Sequence, residues 1–131
     1  MSFLVDTNVL SELARPSVNQ GVVEWARDIS HIVLSVITVD EVAFGLTWKP
    51  NARIEQWFET FLEEHCRVLP VTTEIALSAG RLRGHLRARG QVRTQADMMI
   101  GATALVHGLT LVTRNEADFR GCGIALLNPF T

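Results

Sequence analysis

The chain has no tyrosine, a single lysine (Lys49), two cysteines and four prolines among its 131 residues. Each scarcity closes a route. Cys66 and Cys122 form no metal-binding spacing and no disulfide framework, so they read as reduced thiols. No segment approaches the ~20 consecutive apolar residues of a membrane span; the run from His31 to Val39 is broken by Ser35 and Thr38. The start, Met-Ser-Phe-Leu-Val-Asp, lacks a basic head and meets an acid at position 6, unlike a secretory leader, so the expected location is the cytoplasm. What remains is ordinary. Apolar residues make up 47%, which places the chain among globular proteins and not disordered ones. The length implies one domain, residues 1–131, large enough to bury a core without staples.

The net charge of −2 argues against broad, non-specific nucleic-acid binding, but the charges are unevenly placed. Arg81, Arg83, Arg87, Arg89 and Arg93 share one short window with His85 and no acid. Basic residues late in a helix answer its dipole, so a solvated face is the plain reading; a landing strip for nucleic-acid phosphates or for an acidic partner segment is the functional one. The tryptophans Trp25, Trp48 and Trp57 do not interleave with the arginines and read as core or dimer surface. The four histidines show no ligand spacing and read as surface or satisfied residues.

Four β-rich runs stand out, Phe3–Val5, Ile32–Val36, Arg67–Val71 and Thr110–Thr113, with a weaker fifth at Ile124–Leu127. Helical periodicity covers Asn19–Ile29, Ala52–Glu64, Glu74–Ala88 and Gln95–Val106. The last is apolar on most sides and carries Gly101, Ala102 and Ala104, which predicts a buried, closely packed helix with Gly108 as its C-cap. Alternation of short strands with helices predicts a three-layer α/β/α domain around a parallel sheet of four to five strands. Ligands of such sheets bind beyond the carboxyl ends of the strands.

Acids stand at those ends. Asp6 follows the first strand in Asp6-Thr7-Asn8, and Glu41 follows the second in Thr38-Val39-Asp40-Glu41. Asp97 opens the apolar helix after Thr94-Gln95-Ala96, and Thr113-Arg114-Asn115-Glu116-Ala117-Asp118 follows the fourth strand. Each has a structural explanation: Thr38…Glu41 and Thr94…Asp97 approximate capping boxes, Asp6 suits the cap of a helix starting at Thr7, and Asn115 that of a short helix. Capping does not explain why four acids gather at one sheet edge. Carboxylates so placed repel unless a cation is shared, and with no histidine or cysteine beside them a hard cation such as Mg²⁺ fits better than zinc.

These motifs, Asp6-Thr7-Asn8, Thr38-Val39-Asp40-Glu41, Ala96-Asp97 and Thr113-Arg114-Asn115…Asp118-Phe119, together resemble the PIN domain, most closely the VapC toxins of bacterial toxin–antitoxin pairs. The resemblance runs through essentially the whole chain. It implies a metal-dependent endoribonuclease held inactive by a cognate antitoxin, and a homodimer. It also implies that Asp6 and Asp97 ligate Mg²⁺ or Mn²⁺ and that Glu41 orients a metal water or a second ion. The family's fourth acid falls on Asn115 here, with Asp118 the nearest acid and Glu116 behind it. Asn8, Thr113 and Asn115 are candidate contacts to the acids or the scissile phosphate, and each is also a common turn residue.

Rival readings lack context. An aspartyl-phosphate enzyme wants a second acid two residues after the nucleophile and a lysine for the phosphoryl group; position 8 is Asn and Lys49 sits beside Pro50. A nucleotide-binding module is disfavoured because Gly121-Cys122-Gly123 precedes a strand instead of opening a helix. A catalytically inactive PIN-like binding protein is the third alternative.

Overall fold

The structure is a computed structural model and describes residues 2–131. Its centre is a parallel five-stranded sheet of order β3-β2-β1-β4-β5. The strands are β1 (Phe3–Val5), β2 (Ile32–Ser35), β3 (Cys66–Leu69), β4 (Thr110–Val112) and β5 (Leu126–Leu127). The helices are α1 (Thr7–Leu13), α2 (Gln20–Arg27), α3 (Val36–Trp48), α4 (Ala52–Glu64), α5 (Thr73–Ala88) and α6 (Gln95–His107), with a 3₁₀ turn at Glu116–Phe119.

Strand β1 explains the layering. Its three residues are all buried, as expected of a strand covered on both faces. Side chains alternate, so Phe3 and Val5 enter one core with Val9, Leu10, Val22, Phe58 and Phe61 from α1, α2 and α4. Leu4 enters the other, with Ile75, Ala79, Met98, Ile100 and Phe119 from α5, α6 and the 3₁₀ turn. Helix α6 is buried along most of its length, as its composition predicts. Gly101 permits this approach, because a Cβ there would lie 3.0 Å from Ile124 Cδ1 and 3.3 Å from Phe119 Cδ1. Gly108 ends the helix at φ 64°, the left-handed cap position expected for it.

The largest difference from the sequence expectations is α3. The expected second strand runs through Val36, but β2 stops at Ser35, whose Oγ caps α3 by accepting from the Ile37 amide at 3.1 Å. Val36, Ile37, Thr38 and Val39 are all β-branched, a local preference that tertiary packing overrides. Thr38 and Glu41 are therefore not a capping box; both lie inside the helix, with Thr38 fully buried. The third strand is also shifted, from the expected Arg67–Val71 to Cys66–Leu69. Both cysteines are free, and the four histidines are exposed. Trp25 and Trp57 pack against Phe3 and Phe61, whereas Trp48 is 73% exposed and so is no core residue. No helix among the described residues is long and apolar enough to cross a membrane.

Candidate active site

Parallel strands all end at one edge, and that edge gathers the predicted residues. Asp6 leaves β1 as the N-cap of α1 and is only 5% exposed. Its Oδ1 accepts from the Thr7 amide at 2.8 Å. Its Oδ2 accepts from the Thr113 hydroxyl at 2.8 Å and the Asn8 amide at 3.2 Å. Thr113, at the end of β4, is fully buried, and its oxygen accepts in turn from the Asn115 amide at 3.0 Å. Asn8 returns the favour across the edge, its Oδ1 accepting from the Arg114 amide at 3.1 Å. Two chain segments more than a hundred residues apart are thus pinned together around one carboxylate. Asn8 and Thr113 hold the acid; neither is an idle turn residue.

Glu41 reaches the same edge from the second turn of α3. Its Oε1 accepts from the Thr7 hydroxyl at 2.6 Å, and that hydroxyl also lies 3.2 Å from the Thr38 hydroxyl. Asp97 is half-buried in the first turn of α6, where the Thr94 side chain caps the helix by accepting from the Asp97 amide at 3.1 Å. Only the Thr94 half of the anticipated capping box forms, which leaves the Asp97 carboxylate without a reciprocal bond to the Thr94 amide. Asp118 sits in the 3₁₀ turn, half-buried and within electrostatic reach of Asp97. Asn115 precedes that turn, exposed, and its side chain makes no cap bond. Of the residues open for the fourth place, the fold brings Asp118 toward Asp97.

Burial pushes the Asp6 carboxyl above its ordinary pKa; hydrogen bonds from Thr113 and Thr7 oppose this, and the charges of Asp97 and Glu41 add to it. Asp97 is also raised, first by burial, then by Asp118 and Glu41, against the lowering effect of Thr94 and of the Arg93 charge. The acids therefore feel one another as like charges, the condition that a bound cation relieves. Among the described residues no three of His, Cys, Asp or Glu are grouped closely enough to grip one metal by themselves. A hard cation such as Mg²⁺ usually takes only one or two carboxylates, and a carboxylate has about four lone-pair positions, so the three bonds to Asp6 leave some free.

Beside this edge runs a cleft of about 300 Å³ between α1, α3 and α4, opening at Thr7 and Glu41 and walled by Leu10, Leu46, Ile54 and Trp57. The sequence reasoning missed Thr7 as a site residue. The signal was present in a hydroxyl directly after Asp6, but its partner Glu41 is 34 residues away and the pairing depends on α3 being helical.

The PIN domain family matches residues 3–122. The chain belongs to the PIN domain family. A VapC ribonuclease of Sinorhizobium fredii, Y4jK, is 34% identical, with 97% of this chain and 96% of that protein covered. Toxin FitB of Neisseria gonorrhoeae is 33% identical, with 97% of each covered. Among solved structures, a toxin–antitoxin complex from Klebsiella pneumoniae superposes with a TM-score of 0.78 at 28% identity, covering 98% of both chains. The PIN fold expected from the sequence, a parallel sheet between helical layers with acids at its carboxyl edge, is the one present.

Proposed function

We propose that this PIN domain is a metal-dependent endoribonuclease and the toxin of a type II toxin–antitoxin pair, a single-domain enzyme of the cytoplasm. The observation that carries the reading is the convergence of Asp6, Glu41, Asp97 and Asp118 from separate elements on one sheet edge, with Asp6 buried and braced by neutral donors. The relatives' names, a ribonuclease and a toxin, agree with that chemistry.

Asp6 and Asp97 are the residues that would hold Mg²⁺ or Mn²⁺. Bound there, the ion would supply an acidified water and positive charge against the phosphodiester. The protein's own groups prepare the rest. Thr113 and Asn8 fix the Asp6 oxygens, so the carboxylate needs no reorganisation on binding an ion. Thr7 aims Glu41, which is positioned to take a proton from an attacking water. Asp118 supplies a fourth charge beside Asp97, and Asn115 presents an uncommitted amide at the exposed rim for the phosphate. An aspartyl-phosphate enzyme suits the site poorly, since Asn8, which donates to Asp6, stands where such an enzyme wants a second acid, and Lys49, the single lysine, closes the far end of α3.

The partner is a cognate antitoxin protein, in keeping with the complex to which the chain is structurally similar. The apolar cleft beside Thr7 and Glu41 offers a protein segment a seat within reach of the acids.

Purified protein incubated with RNA and Mg²⁺ tests the reading. Cleavage that EDTA abolishes, and growth arrest on overproduction relieved by the antitoxin, are expected. RNA left intact in Mg²⁺ and Mn²⁺ alike would favour an inactive binding protein.

A further inference from the structure

No acid interrupts the chain from Ile75 to Ala96, a stretch that holds five of the twelve basic residues. Arg81, Arg83 and Arg87 are exposed on α5, and Arg89 is exposed as its C-cap. Among the described residues none of the four lies within ion-pair distance of a carboxylate; the two ion pairs found involve Arg15 and His65. Their spacing makes them repel one another. Arg83 and Arg87 are four apart on the helix, and like charges at that spacing weaken it. The helix dipole compensates cations in the last turn only, so it accounts for Arg87 and Arg89 but not for Arg81 and Arg83.

The row Arg81, His85 and Arg89 borders a cleft of about 380 Å³ floored by Leu82, Leu86 and Leu105. Gly121, which follows closely on the 3₁₀ turn bearing Asp118, also lines it. Arg93 joins this basic region to the same turn, donating from Nε to the Asp118 carbonyl at 2.9 Å and from Nη2 to the Ala117 carbonyl at 3.3 Å. Arg81 and Arg89 are eight residues apart, an advance of about 12 Å along the helix, so the row presents two cations at the scale of two nucleotide steps, with the polar His85 ring between them. The leucine floor supplies an apolar surface beneath them, and a charged groove of this type tracks a single strand by its backbone.

We propose that the outer face of α5, through Arg81, His85 and Arg89, binds backbone phosphates of the RNA and leads the strand toward Asp97 and Asp118. The proposal rests on the ribonuclease reading and adds where that substrate is held. An enzyme whose site is a cluster of carboxylates repels a polyanion at the point of chemistry, so attraction has to come from beside it. An acidic protein segment is the other polyanion to consider. RNA is favoured because the cleft adjoins the segment carrying Asp118 and because a regular row suits a polymer with one charge per nucleotide.

The test uses the whole protein and a single-stranded RNA oligonucleotide, with EDTA present so that nothing is cut. Binding is followed by fluorescence anisotropy over a range of NaCl. In Arg81→Gln/Arg89→Gln the slope of log affinity against log salt should fall by about 1.4, from about 0.7 per lost single-strand phosphate contact. With Mg²⁺ restored, KM for the same RNA should rise about tenfold while kcat is unchanged, the pattern of a contact made equally in ground and transition states. Gln matches Arg in helix propensity, so melting should not shift. Arg27→Gln, exposed on α2, should leave the slope and KM as they were. An unchanged slope and KM in the double variant overturn the proposal. So does an unchanged RNA slope with loss of polyglutamate binding, which would assign the face to an acidic protein. Failure of the unaltered protein to cut RNA would instead overturn the ribonuclease reading, so the two can fail separately.

Discussion

At the strand ends, Asp6 is buried and each of its oxygens accepts a hydrogen bond from a residue fixed by the fold, while on α5 and its C-cap four arginines stand in solvent, none within ion-pair distance of a carboxylate among the described residues. The acidic edge is a product of tertiary structure. Its charges are forced together by β1, β4, α3 and α6 and kept there by Thr7, Asn8 and Thr113. The basic face is a product of local sequence, laid out by the helical repeat alone. Proximity that costs energy in the folded state is what an ion or a substrate can repay, so changes at the acidic edge should matter far more than changes on α5.

The hardest way to break this contrast is Asp97→Asn. A cap residue that loses its charge costs about 0.3–1 kcal/mol. A metal ligand that loses an anionic oxygen costs the reaction itself. RNA cleavage and toxicity should fall by at least about a hundredfold, the scale of losing a principal electrostatic contributor, while the fold persists. Asp6→Asn should behave alike, and the double variant should be little worse than either, because residues acting as one unit are not additive. A folded Asp97→Asn protein with the parental cleavage rate would remove Asp97 from the site.

The next test touches the brace and leaves the acid. Thr113→Val keeps the side chain's shape but deletes the hydroxyl that donates to Asp6 and accepts from Asn115. Leaving a buried carboxylate short of a donor should cost about 1–3 kcal/mol of stability, read from denaturant unfolding. Thr113→Ser should recover most of it. An unaltered midpoint in the valine variant would mean that Asp6 does not depend on β4.

Much of this was legible beforehand. The strand-end rule brought out Asp6, and the all-apolar composition of Gln95–Val106 made the helix headed by Asp97 conspicuous. The basic window needs no structure to be seen, since it is contiguous. What was obscured had physical causes. Helix α3 begins with four β-branched residues, which locally favour a strand, and so Thr38 and Glu41 looked like a capping box before a helix instead of residues within one. The choice between Asn115 and Asp118 depended on a 3₁₀ turn whose geometry no periodicity announces.

Proton linkage separates the two regions next. The pKa values of Asp6 and Asp97 are raised in the folded protein above their ordinary 3.8, so folding favours their protonated forms. Their contribution to stability is full below the ordinary value and is lost as pH rises through the raised ones. In EDTA, then, Asp6→Asn and Asp97→Asn should gain on the parent protein in melting temperature as pH climbs from acid toward neutral. Mg²⁺, but not NaCl of equal ionic strength, should narrow that gap by stabilising the parent. Curves for variant and parent that stay parallel across the range would show that the carboxylates do not strain the fold. Arg81→Gln should show no such pH-dependent divergence.

The smallest effect expected is at Thr94, and it asks whether a cap can be separated from a catalytic position. Thr94 accepts from the Asp97 amide and so fixes the first turn of α6, yet it carries no charge and ligates nothing. Thr94→Ala should cost about 1 kcal/mol of stability, the usual worth of an N-cap. If the cap also sets the direction of the Asp97 carboxylate, metal affinity should weaken by several-fold, since supporting residues around a metal ligand matter at about the ten- to hundredfold level. Thr94→Ser restores an oxygen at the same place and should recover both. Thr94→Gly separates them, because glycine at a cap costs only a few tenths of a kcal/mol but offers no side-chain oxygen to hold the turn. A glycine variant with near-parental stability and weakened Mg²⁺ binding would show that Thr94 positions Asp97. Parental Mg²⁺ binding in both the alanine and the glycine variants would leave Thr94 a cap and nothing more.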